Sequence, residues 1–526
     1  MHGGSTASGT PDDSDGSDAR ARRAAALALA LVVVGAACLL AGWLDAPLHR
    51  PQDEGQLLVL PELVRGGAVL HRDVFATYPP GVFWLLAAVY ELVGPSLAAE
   101  RATGLALRLA IVAATFALAR RSGVWVATAA SAAAALVLLP LQLAAFAWLG
   151  AVALGLGALV ALHGAPRAPA RAAVAGALAG AALAFRLDVA LALALGAAPC
   201  LVRAPRAARG AFAAGLALGA LPLAAHALAA GVGAFVDATV VETVVRVAPN
   251  RRLSLGDASL VRLRELALPV LGIVSVLAAA RGASRTPARD GALDERARLA
   301  SLGGFAAGLA PQALQRLDAD HVLYVACVAS PLVLVALGSA LARRSARVAA
   351  ATVGVAFAAL FAAPRAALVV DLARGTGPAR GFALERGGRR VVVTSEVERA
   401  TVAELVAAIE RASRPGDALF VGPRDLTRTY YADVQIYWLF PELRPASFFV
   451  DLNPGSADRP GSRLAGDLAR ADLVVASRRW DAMRGESEWA GSPDAARVLA
   501  ERFALRFERG PWSLWTRRAA GAETAP

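Results

Sequence analysis

Long apolar runs alternate with short charged segments along the first two thirds of this 526-residue chain. The first run, Ala24 to Leu44, has 21 residues and no charged side chain. A helix rises 1.5 Å per residue, so this run can cross a hydrocarbon core about 30 Å thick. The repetition of such runs predicts a polytopic membrane protein, mainly α-helical.

The hydropathy pattern predicts about 11 crossings, entered from a disordered cytoplasmic tail at 1–23. The predicted crossings are 24–44, 103–118, 124–140, 143–162, 172–185, 189–202, 210–230, 266–280, 299–314, 322–341 and 348–363. The two short runs at 172–185 and 189–202 are expected to form a hairpin. Val82 to Val93 is too short for an ordinary span and is expected to be a juxtamembrane helix in the first external loop.

The arginines predict the orientation. Arg20, Arg22 and Arg23 precede the first run, which places the N-terminus in the cytoplasm by the positive-inside rule. The most basic loop follows residue 280 and should face the same side. The clusters that carry acidic side chains, aromatic side chains and histidine then face outward.

The last 160 or so residues differ in kind. Short strands are predicted at 391–393, 418–421, 473–476 and 513–515, with helices at 401–413 and 494–502. We therefore expect a transmembrane domain at 24–365 and an external α/β domain at 366–526. Aromatic stretches such as 437–440 are expected to pack in the core of that domain.

Composition narrows the classes of function. Hydrophobic residues make up 57% of the chain and its mean hydropathy is +0.51, which disfavours a soluble protein. The net charge of +12 comes from arginine alone, since the sequence has no lysine, and it is spread over many loops rather than one face, which disfavours nucleic-acid binding. Cys38, Cys200 and Cys327 fall in apolar runs and predict neither a disulfide nor a metal site.

Candidate chemistry begins directly after the first crossing. Asp53 and Glu54 are adjacent carboxylates, and they are followed by Arg72, Asp73 and Tyr78 before a Pro-Pro-Gly turn. A solvated polar loop would also have such a composition. The order of acidic pair, charged cluster and aromatic turn favours a functional segment.

Two further clusters lie at the ends of later crossings. Arg186 and Asp188 occupy the tip of the predicted hairpin, and Arg316, Asp318 and His321 lie between two crossings. Charged groups at membrane depth are costly unless they face an aqueous cavity or a partner, which makes both clusters candidate sites. The alternative is an Arg–Asp pair that only joins helices.

These segments resemble the C-type (GT-C) membrane glycosyltransferases. The resemblance rests on Asp53-Glu54-Gly55, on Arg72-Asp73 with the turn at 78–81, on Arg101 and on the short hairpin, and it covers roughly 24–341. It is closest to the bacterial branch related to protein O-mannosyltransferases and to the lipid A aminoarabinose transferase. Members take a sugar from a polyprenyl phosphate donor at the outer face of the cytoplasmic membrane and pass it to a hydroxyl group.

The resemblance implies a role for each candidate residue. The catalytic carboxylate falls on Asp53, with Glu54 beside it. Cations that hold the donor phosphate would be Arg316 and His321, then Arg186, with Arg251 and Arg252 as alternatives. Substrate-positioning roles fall to the remaining members of the three clusters: Arg72, Asp73, Tyr78, Asp188 and Asp318. No cofactor is implied with certainty. Some members carry an Asp-x-Asp metal motif, which the first loop here lacks, so metal dependence stays open and a divalent metal is a possible cofactor.

The partners expected on this hypothesis are a polyprenyl-phosphate sugar, a cell-envelope acceptor and the bilayer, with no nucleic acid. A membrane transporter or lipid flippase is the alternative, because it would also carry charged residues in its membrane segments. The sequence shows no convincing internal repeat of the kind many transporters have. A non-catalytic assembly protein stays open as a third possibility.

Overall fold

Helices make up most of the described residues up to Arg374, and a small α/β domain follows. The computed structural model describes residues 13–164, 167–247, 249, 260–283, 294–341, 347–376, 380–481 and 490–518. The helices of the N-terminal part are α1 Asp13–Ala41, α2 Gly55–Arg65, α3 Gly81–Val93, α4 Leu97–Ala119, α5 Val124–Leu138, α6 Ala147–Gly164, α7 Pro169–Phe185, α8 Val189–Leu201, α9 Arg206–Ala230, α10 Val232–Val236, α11 Leu260–Arg281, α12 Glu295–Gln315, α13 Ala319–Ala329, α14 Pro331–Leu341 and α15 Arg347–Arg374. Two π-helical segments, Arg50–Glu54 and Asp237–Val247, interrupt this order.

The helices form a membrane bundle. In the described part of the chain, seven helices are long and apolar enough to cross a membrane: Ala19–Ala41, Leu97–Ser122, Val124–Leu141, Ala147–Gly164, Arg206–Ala230, Leu263–Arg281 and Asp320–Leu341. The shorter α7 and α8, together with α12 and α15, lie at the other four predicted crossings, so all eleven predicted segments are helical and seven of them are candidate spans. The expected class, a mainly helical polytopic protein, is confirmed.

The two short apolar helices form the hairpin that the sequence predicts. Helix α7 ends at Phe185 and α8 begins at Val189, so Arg186 and Asp188 occupy the turn. Helix α7 packs along α6 and α9, and α8 packs along α12. Large apolar side chains of these helices, such as Leu193 and Phe305, are buried in one core cluster. The turn is thereby fixed at one end of the bundle.

The first helix starts earlier than the sequence indicates. Helix α1 begins at Asp13, so residues 13–23, expected as part of a disordered tail, are helical where the structure describes them. Alanine and arginine dominate 19–30, and both are strong helix formers, so the helix extends N-terminally past the apolar run. Residues 1–12 lie outside the described part of the chain.

The C-terminal domain combines a mixed sheet, a hairpin and short helices. Its elements are β1 Phe382–Arg386, β2 Arg389–Val393, α16 Glu396–Ala412, β3 Ala418–Pro423, α17 Gln435–Leu439, β4 Arg444–Pro445, α18 Leu464–Leu468, β5 Leu473–Ser477, α19 Asp494–Arg502, β6 Phe503–Arg509 and β7 Trp512–Arg517. The five-stranded sheet has the order β4-β3-β5-β7-β6, and β1 pairs with β2 as a separate antiparallel hairpin. Strands β3 and β5 are parallel and almost fully buried, as their continuous apolar sequences require.

One apolar core joins the C-terminal domain to the first loop of the bundle. Leu58 and Phe83 of that loop share a buried cluster with Phe420 and Trp438 of the domain. Backbone hydrogen bonds add to the contact: the Leu48 amide donates to the Val392 carbonyl over 2.9 Å. The domain therefore lies against the end of the bundle at which the first helix emerges.

Labelling with a membrane-impermeant thiol reagent tests the orientation. Arg206 begins α9 at the opposite end of the bundle from the C-terminal domain, and Arg414 lies on an exposed surface of that domain. We expect Arg414→Cys to be labelled in intact spheroplasts and Arg206→Cys to be labelled only after lysis, in a background without the three native cysteines. Labelling of Arg206→Cys before lysis, with Arg414→Cys protected, would reverse the orientation.

Candidate active site

Two adjoining cavities lie where the first loop, the helix ends and the C-terminal domain meet. We call them the apolar cavity, of about 630 Å³, and the polar cavity, of about 780 Å³. The side chains that line both are Arg50, Asp53, Gln56, Tyr78, Arg186, Gln312 and His321. The apolar cavity is also lined by Leu57, Phe83, Phe146, Ala147, Trp148, Asp320 and Tyr324. The polar cavity is also lined by Gln52, Thr77, Thr243, Val247, Gln315, Arg316, Tyr431, Asp451 and Asn453.

Asp53 faces the junction of the two cavities. It belongs to the π-helical segment Arg50–Glu54, and its side chain is 25% exposed. An Arg50 nitrogen lies 3.8 Å from its carboxylate, and the same guanidinium lies 2.9 Å from Asp320. Arg50 has a φ of 60°, in the left-handed region that a non-glycine residue rarely occupies. Such backbone conformations persist where the surroundings enforce them, and they are concentrated at functional sites.

Glu54 is placed differently from its neighbour. It is fully buried, lines neither cavity and accepts hydrogen bonds from Arg101, from Nε to Oε1 over 2.7 Å and from Nη2 to Oε2 over 3.2 Å. The backbone amide of His49 also donates to Oε2, over 2.6 Å. Both oxygens are thus occupied by protein donors. Glu54 therefore serves as the buried partner of Arg101 in this geometry and lines neither cavity, and the catalytic role expected for it stays a prediction.

Arg101 anchors the turn that leads into the site. Besides Glu54, its Nη1 donates to the carbonyls of Leu44 and Ala46 over 2.7 and 2.8 Å. Arg101 is 1% exposed and projects from the first turns of α4. One buried guanidinium therefore joins the end of α1, the π-helical segment and α4.

Two glycines of the first loop allow its close approach to neighbouring elements. A Cβ on Gly55 would lie 2.8 Å from the backbone nitrogen of Gln435, so glycine lets α17 of the C-terminal domain contact α2. A Cβ on Gly81 would lie 2.6 Å from the carbonyl oxygen of Ala184, at the end of α7. The Pro-Pro-Gly turn is thereby held against the hairpin that carries Arg186.

Arg186 lies in the wall shared by both cavities. Its guanidinium donates to Asp188 over 3.0 and 2.5 Å and to Gln312 Oε1 over 3.1 Å. Its Cζ lies 4.8 Å from the centre of the Tyr78 ring, a cation–π distance. Asp188 also accepts from the Gln312 amide and lines neither cavity. Asp188 therefore orients Arg186, and Tyr78 packs beside that cation in the wall of both cavities.

The predicted cluster at 316–321 is present as a compact network. Arg316 Nε donates to Asp318 over 2.6 Å, and His321 Nδ1 donates to the other Asp318 oxygen over 2.7 Å. Burial alone would raise the Asp318 pKa, but the His321 hydrogen bond and the nearby charges of His321 and Arg316 hold the pKa well below its usual range. Asp318 stays ionised and lines neither cavity. His321 reaches both cavities, whereas Arg316 reaches only the polar one.

Arg72 and Asp73 lie outside the site, contrary to expectation. They pair with each other over 2.9 Å, their side chains are 51% and 40% exposed, and neither lines a cavity. The cause is the tight turn at 69–74, in which His71 has a φ of 71° and is buried. His71 points inward against His226 over 3.0 Å while its two neighbours point to solvent. Arg72 and Asp73 thus face away from both cavities, and the role expected for them in positioning substrate stays a prediction.

The C-terminal domain supplies part of the site. Asp451 accepts from Gln52 Nε2 over 2.6 Å and from the Thr77 hydroxyl, and Gln52 Oε1 accepts from the Ala432 amide over 2.6 Å. Tyr431, Asp451 and Asn453 all line the polar cavity. Aromatic residues of this domain were expected to pack in its core. Trp438 does so, whereas Tyr431 is buried and also lines the polar cavity.

Several lining residues escape sequence reasoning. Arg50 precedes the acidic pair by three residues and resembles an ordinary arginine at the end of a membrane span. Asp320 lies within the segment 316–321, but no pattern there distinguishes it as a site residue. Gln56, Gln312 and Asp451 come from segments with no local motif. Arg50 had one available signal, since its spacing of three from Asp53 allows contact within a single helical turn.

No metal site is evident within the residues that the structure describes. No group of three or more His, Cys, Asp or Glu side chains is arranged there to hold an ion. The alternative phosphate ligands Arg251 and Arg252 lie outside the described part of the chain.

A comparison with solved structures shows which known fold this chain shares. The chain is similar to the crystal structure of ArnT from Cupriavidus metallidurans bound to undecaprenyl phosphate, with 15% sequence identity, a TM-score of 0.52, and coverage of 95% of this chain and 99% of that one. The apo state of the same protein gives 14% identity, a TM-score of 0.52, and coverage of 93% and 97%. No protein-family model and no curated protein sequence matches the chain. The similarity confirms the predicted fold class.

The different environments of Asp53 and Glu54 can be tested by measuring the unfolding temperature of variants. Glu54→Gln leaves the Arg101 guanidinium buried without a counter-charge, and breaking one partner of a buried pair costs about 3–5 kcal/mol. We expect a clear fall in the unfolding temperature of the purified protein in detergent, whereas Asp53→Asn, at a quarter-exposed position, should leave it within experimental error. Equal unfolding temperatures for Glu54→Gln and the parent would contradict the structural role of Glu54.

Proposed function

We propose that the protein is a membrane glycosyltransferase. It moves a sugar from a polyprenyl-phosphate-linked donor to a hydroxyl group of a cell-envelope acceptor, at the outer face of the cytoplasmic membrane. The observation that carries the proposal is the position of Asp53, a partly exposed carboxylate beside a cation at the junction of an apolar and a polar cavity. A lipid-linked sugar is a ligand with one apolar part, one anionic part and one hydroxylated part.

The residues that line the cavities suit the apolar, the anionic and the hydroxylated part of such a ligand in turn. Leu57, Phe83 and Trp148 of the apolar cavity suit a prenyl chain that enters from the bilayer. Arg50 and His321 are two of the groups that line both cavities with Asp53, and a phosphate held by them would leave its sugar facing the carboxylate. The ArnT structure, which shares the fold, was obtained with undecaprenyl phosphate bound.

The reaction that fits this arrangement is direct displacement at the anomeric carbon. The acceptor oxygen forms a bond to that carbon while the bond to the phosphate oxygen breaks. The acceptor proton passes to the Asp53 carboxylate, which acts as general base. Polyprenyl phosphate needs no general acid, because phosphate is already a competent leaving group.

Arg50 has a specific electrostatic part in this mechanism. Before transfer the negative charges are one on Asp53 and one on the phosphodiester; after transfer Asp53 is neutral and the phosphate carries two. One unit of charge therefore moves from the carboxylate to the phosphate. Arg50 pairs with Asp53 at 3.8 Å in the unliganded protein, and it becomes available to the phosphate as Asp53 takes up its proton.

The other cations that the sequence suggested, Arg316 and Arg186, are less accessible: their side chains are 8% and 13% exposed, against 38% for Arg50 and 33% for His321. Arg186 is engaged by Asp188 and Gln312, and Arg316 by Asp318. Both still border the polar cavity and contribute positive potential to it. We assign them a supporting role and place direct phosphate contact at Arg50 and His321.

Replacing the proposed base tests the function. Asp53→Asn keeps the size and cannot accept a proton, so sugar transfer should fall at least about 100-fold. Undecaprenyl phosphate linked to radiolabelled mannose, glucose or arabinose would be offered in turn to the purified protein, with an envelope extract of a deletion strain as acceptor. Binding of undecaprenyl phosphate should persist, which separates loss of chemistry from loss of folding.

Asp73→Asn is the matched control, since it changes a carboxylate of the same loop that lies outside both cavities. It should transfer sugar at the parent rate. A folded Asp53→Asn protein that bound undecaprenyl phosphate and transferred sugar normally would exclude Asp53 as the base.

A further inference from the structure

The wall that the C-terminal domain contributes to the polar cavity differs in chemistry from the facing wall. The domain supplies Tyr431, Asp451 and Asn453, which are two neutral polar side chains and one carboxylate. The cations of the cavity, Arg50, Arg186 and Arg316, come from the membrane domain instead. Among the described residues, the wall of the C-terminal domain brings no cation into the cavity.

Asn453 has unused hydrogen-bonding capacity. It is 3% exposed and lines the polar cavity, and its backbone carbonyl accepts from the Thr429 hydroxyl over 3.1 Å and from the Ser456 amide over 3.2 Å. Its side-chain amide makes no hydrogen bond within the part of the chain that the structure describes. Buried polar groups are normally satisfied, so an open amide at a cavity wall indicates a ligand.

Gln56, on the membrane-domain side of the polar cavity, gives a second and independent indication of a ligand. It is 5% exposed, and its Oε1 is buried without a hydrogen-bond partner in the described residues. It sits one turn beyond Asp53 at the start of α2. Two open amides therefore face a cavity that the proposed base also faces.

We propose that this wall binds the acceptor, and that the acceptor is an uncharged, polyhydroxylated compound such as a glycan rather than a phosphate-bearing one. Amide groups both donate to and accept from hydroxyls, which suits a sugar ring. The Asp451 carboxylate can accept from a hydroxyl but repels an anion. This inference rests on the proposed function, because it assigns the anion-binding side of the cavities to the donor phosphate.

Binding measurements on the full-length protein in detergent test the acceptor site without knowledge of the donor sugar. The neutral probes are mannotriose, maltotriose and arabinotriose, and the anionic probes are mannose 6-phosphate and glucose 6-phosphate. Undecaprenyl phosphate is titrated separately. The parent should bind at least one neutral probe and should bind the sugar phosphates more weakly.

Asn453→Ala removes no side-chain hydrogen bond among the described residues, so we expect the fold to be preserved. It should weaken the neutral probe about tenfold, the effect of one hydrogen bond to a buried partner, and leave the affinity for undecaprenyl phosphate unchanged. Arg50→Ala should do the reverse. Ser456→Ala is the matched control, because Ser456 is a buried residue of the same loop whose hydroxyl also lacks a partner but lines neither cavity.

The possible outcomes separate the acceptor-site proposal from the proposed function. Tighter binding of sugar phosphates than of neutral probes, absence of neutral binding, or equal neutral affinity in Asn453→Ala and the parent would overturn the acceptor site. Failure of the parent to bind undecaprenyl phosphate would instead count against the proposed function, while the neutral-probe measurements would still be interpretable.

Discussion

The buried ion pair of Glu54 and Arg101 fixes the segment on which the rest of the site depends. A charged pair with both side chains about 1% exposed is costly to desolvate, and it is tolerated only when its hydrogen bonds are complete. Here the carboxylate accepts from Arg101 and from the His49 amide, and the guanidinium also donates to carbonyls at the end of α1. These contacts fix the position of the π-helical segment Arg50–Glu54 relative to α1 and α4. With Glu54 held inward, Asp53 is turned toward the cavities.

The same segment connects the two domains. Gln52 bonds to Asp451 and to the Ala432 amide, so residues on either side of Asp53 are tied to the C-terminal domain on one side and to α4 on the other. These contacts give the α/β domain a position at the site. It forms a wall of the polar cavity, and movement of this wall would change the distance between an acceptor and Asp53.

Sequence reasoning reached the architecture because hydrophobicity and arginine placement report directly on membrane spans. The apolar runs marked the crossings, and the hairpin tip at 186–188 followed from the charged interruption between two short runs. Strands β3 and β5 were detected as continuous apolar segments, whereas β6, with its alternating charges, was not. The clusters at 186–188 and 316–321 do meet at one end of the bundle, as their equivalent positions at span ends suggested.

The individual roles required the structure. Asp53 and Glu54 are neighbours in sequence, and no local pattern shows which of them faces a cavity; the partner Arg101 lies 47 residues away. By residue type alone, Arg72 and Asp73 are candidates equal to Arg186. Composition does not show that the tight turn at 69–74 buries His71 and leaves its two neighbours facing solvent. Arg50, Asp451 and Asn453 gained their significance only from packing between segments distant along the chain.

A structure of the protein with undecaprenyl phosphate bound would test the central claim most directly, that Asp53 sits where a lipid phosphate and a sugar acceptor meet. The account predicts the phosphate between Arg50 and His321 and the prenyl chain in the apolar cavity beside Leu57, Phe83 and Trp148. A phosphate bound at another cation, with Arg50 still paired to Asp53 and the apolar cavity empty, would contradict it.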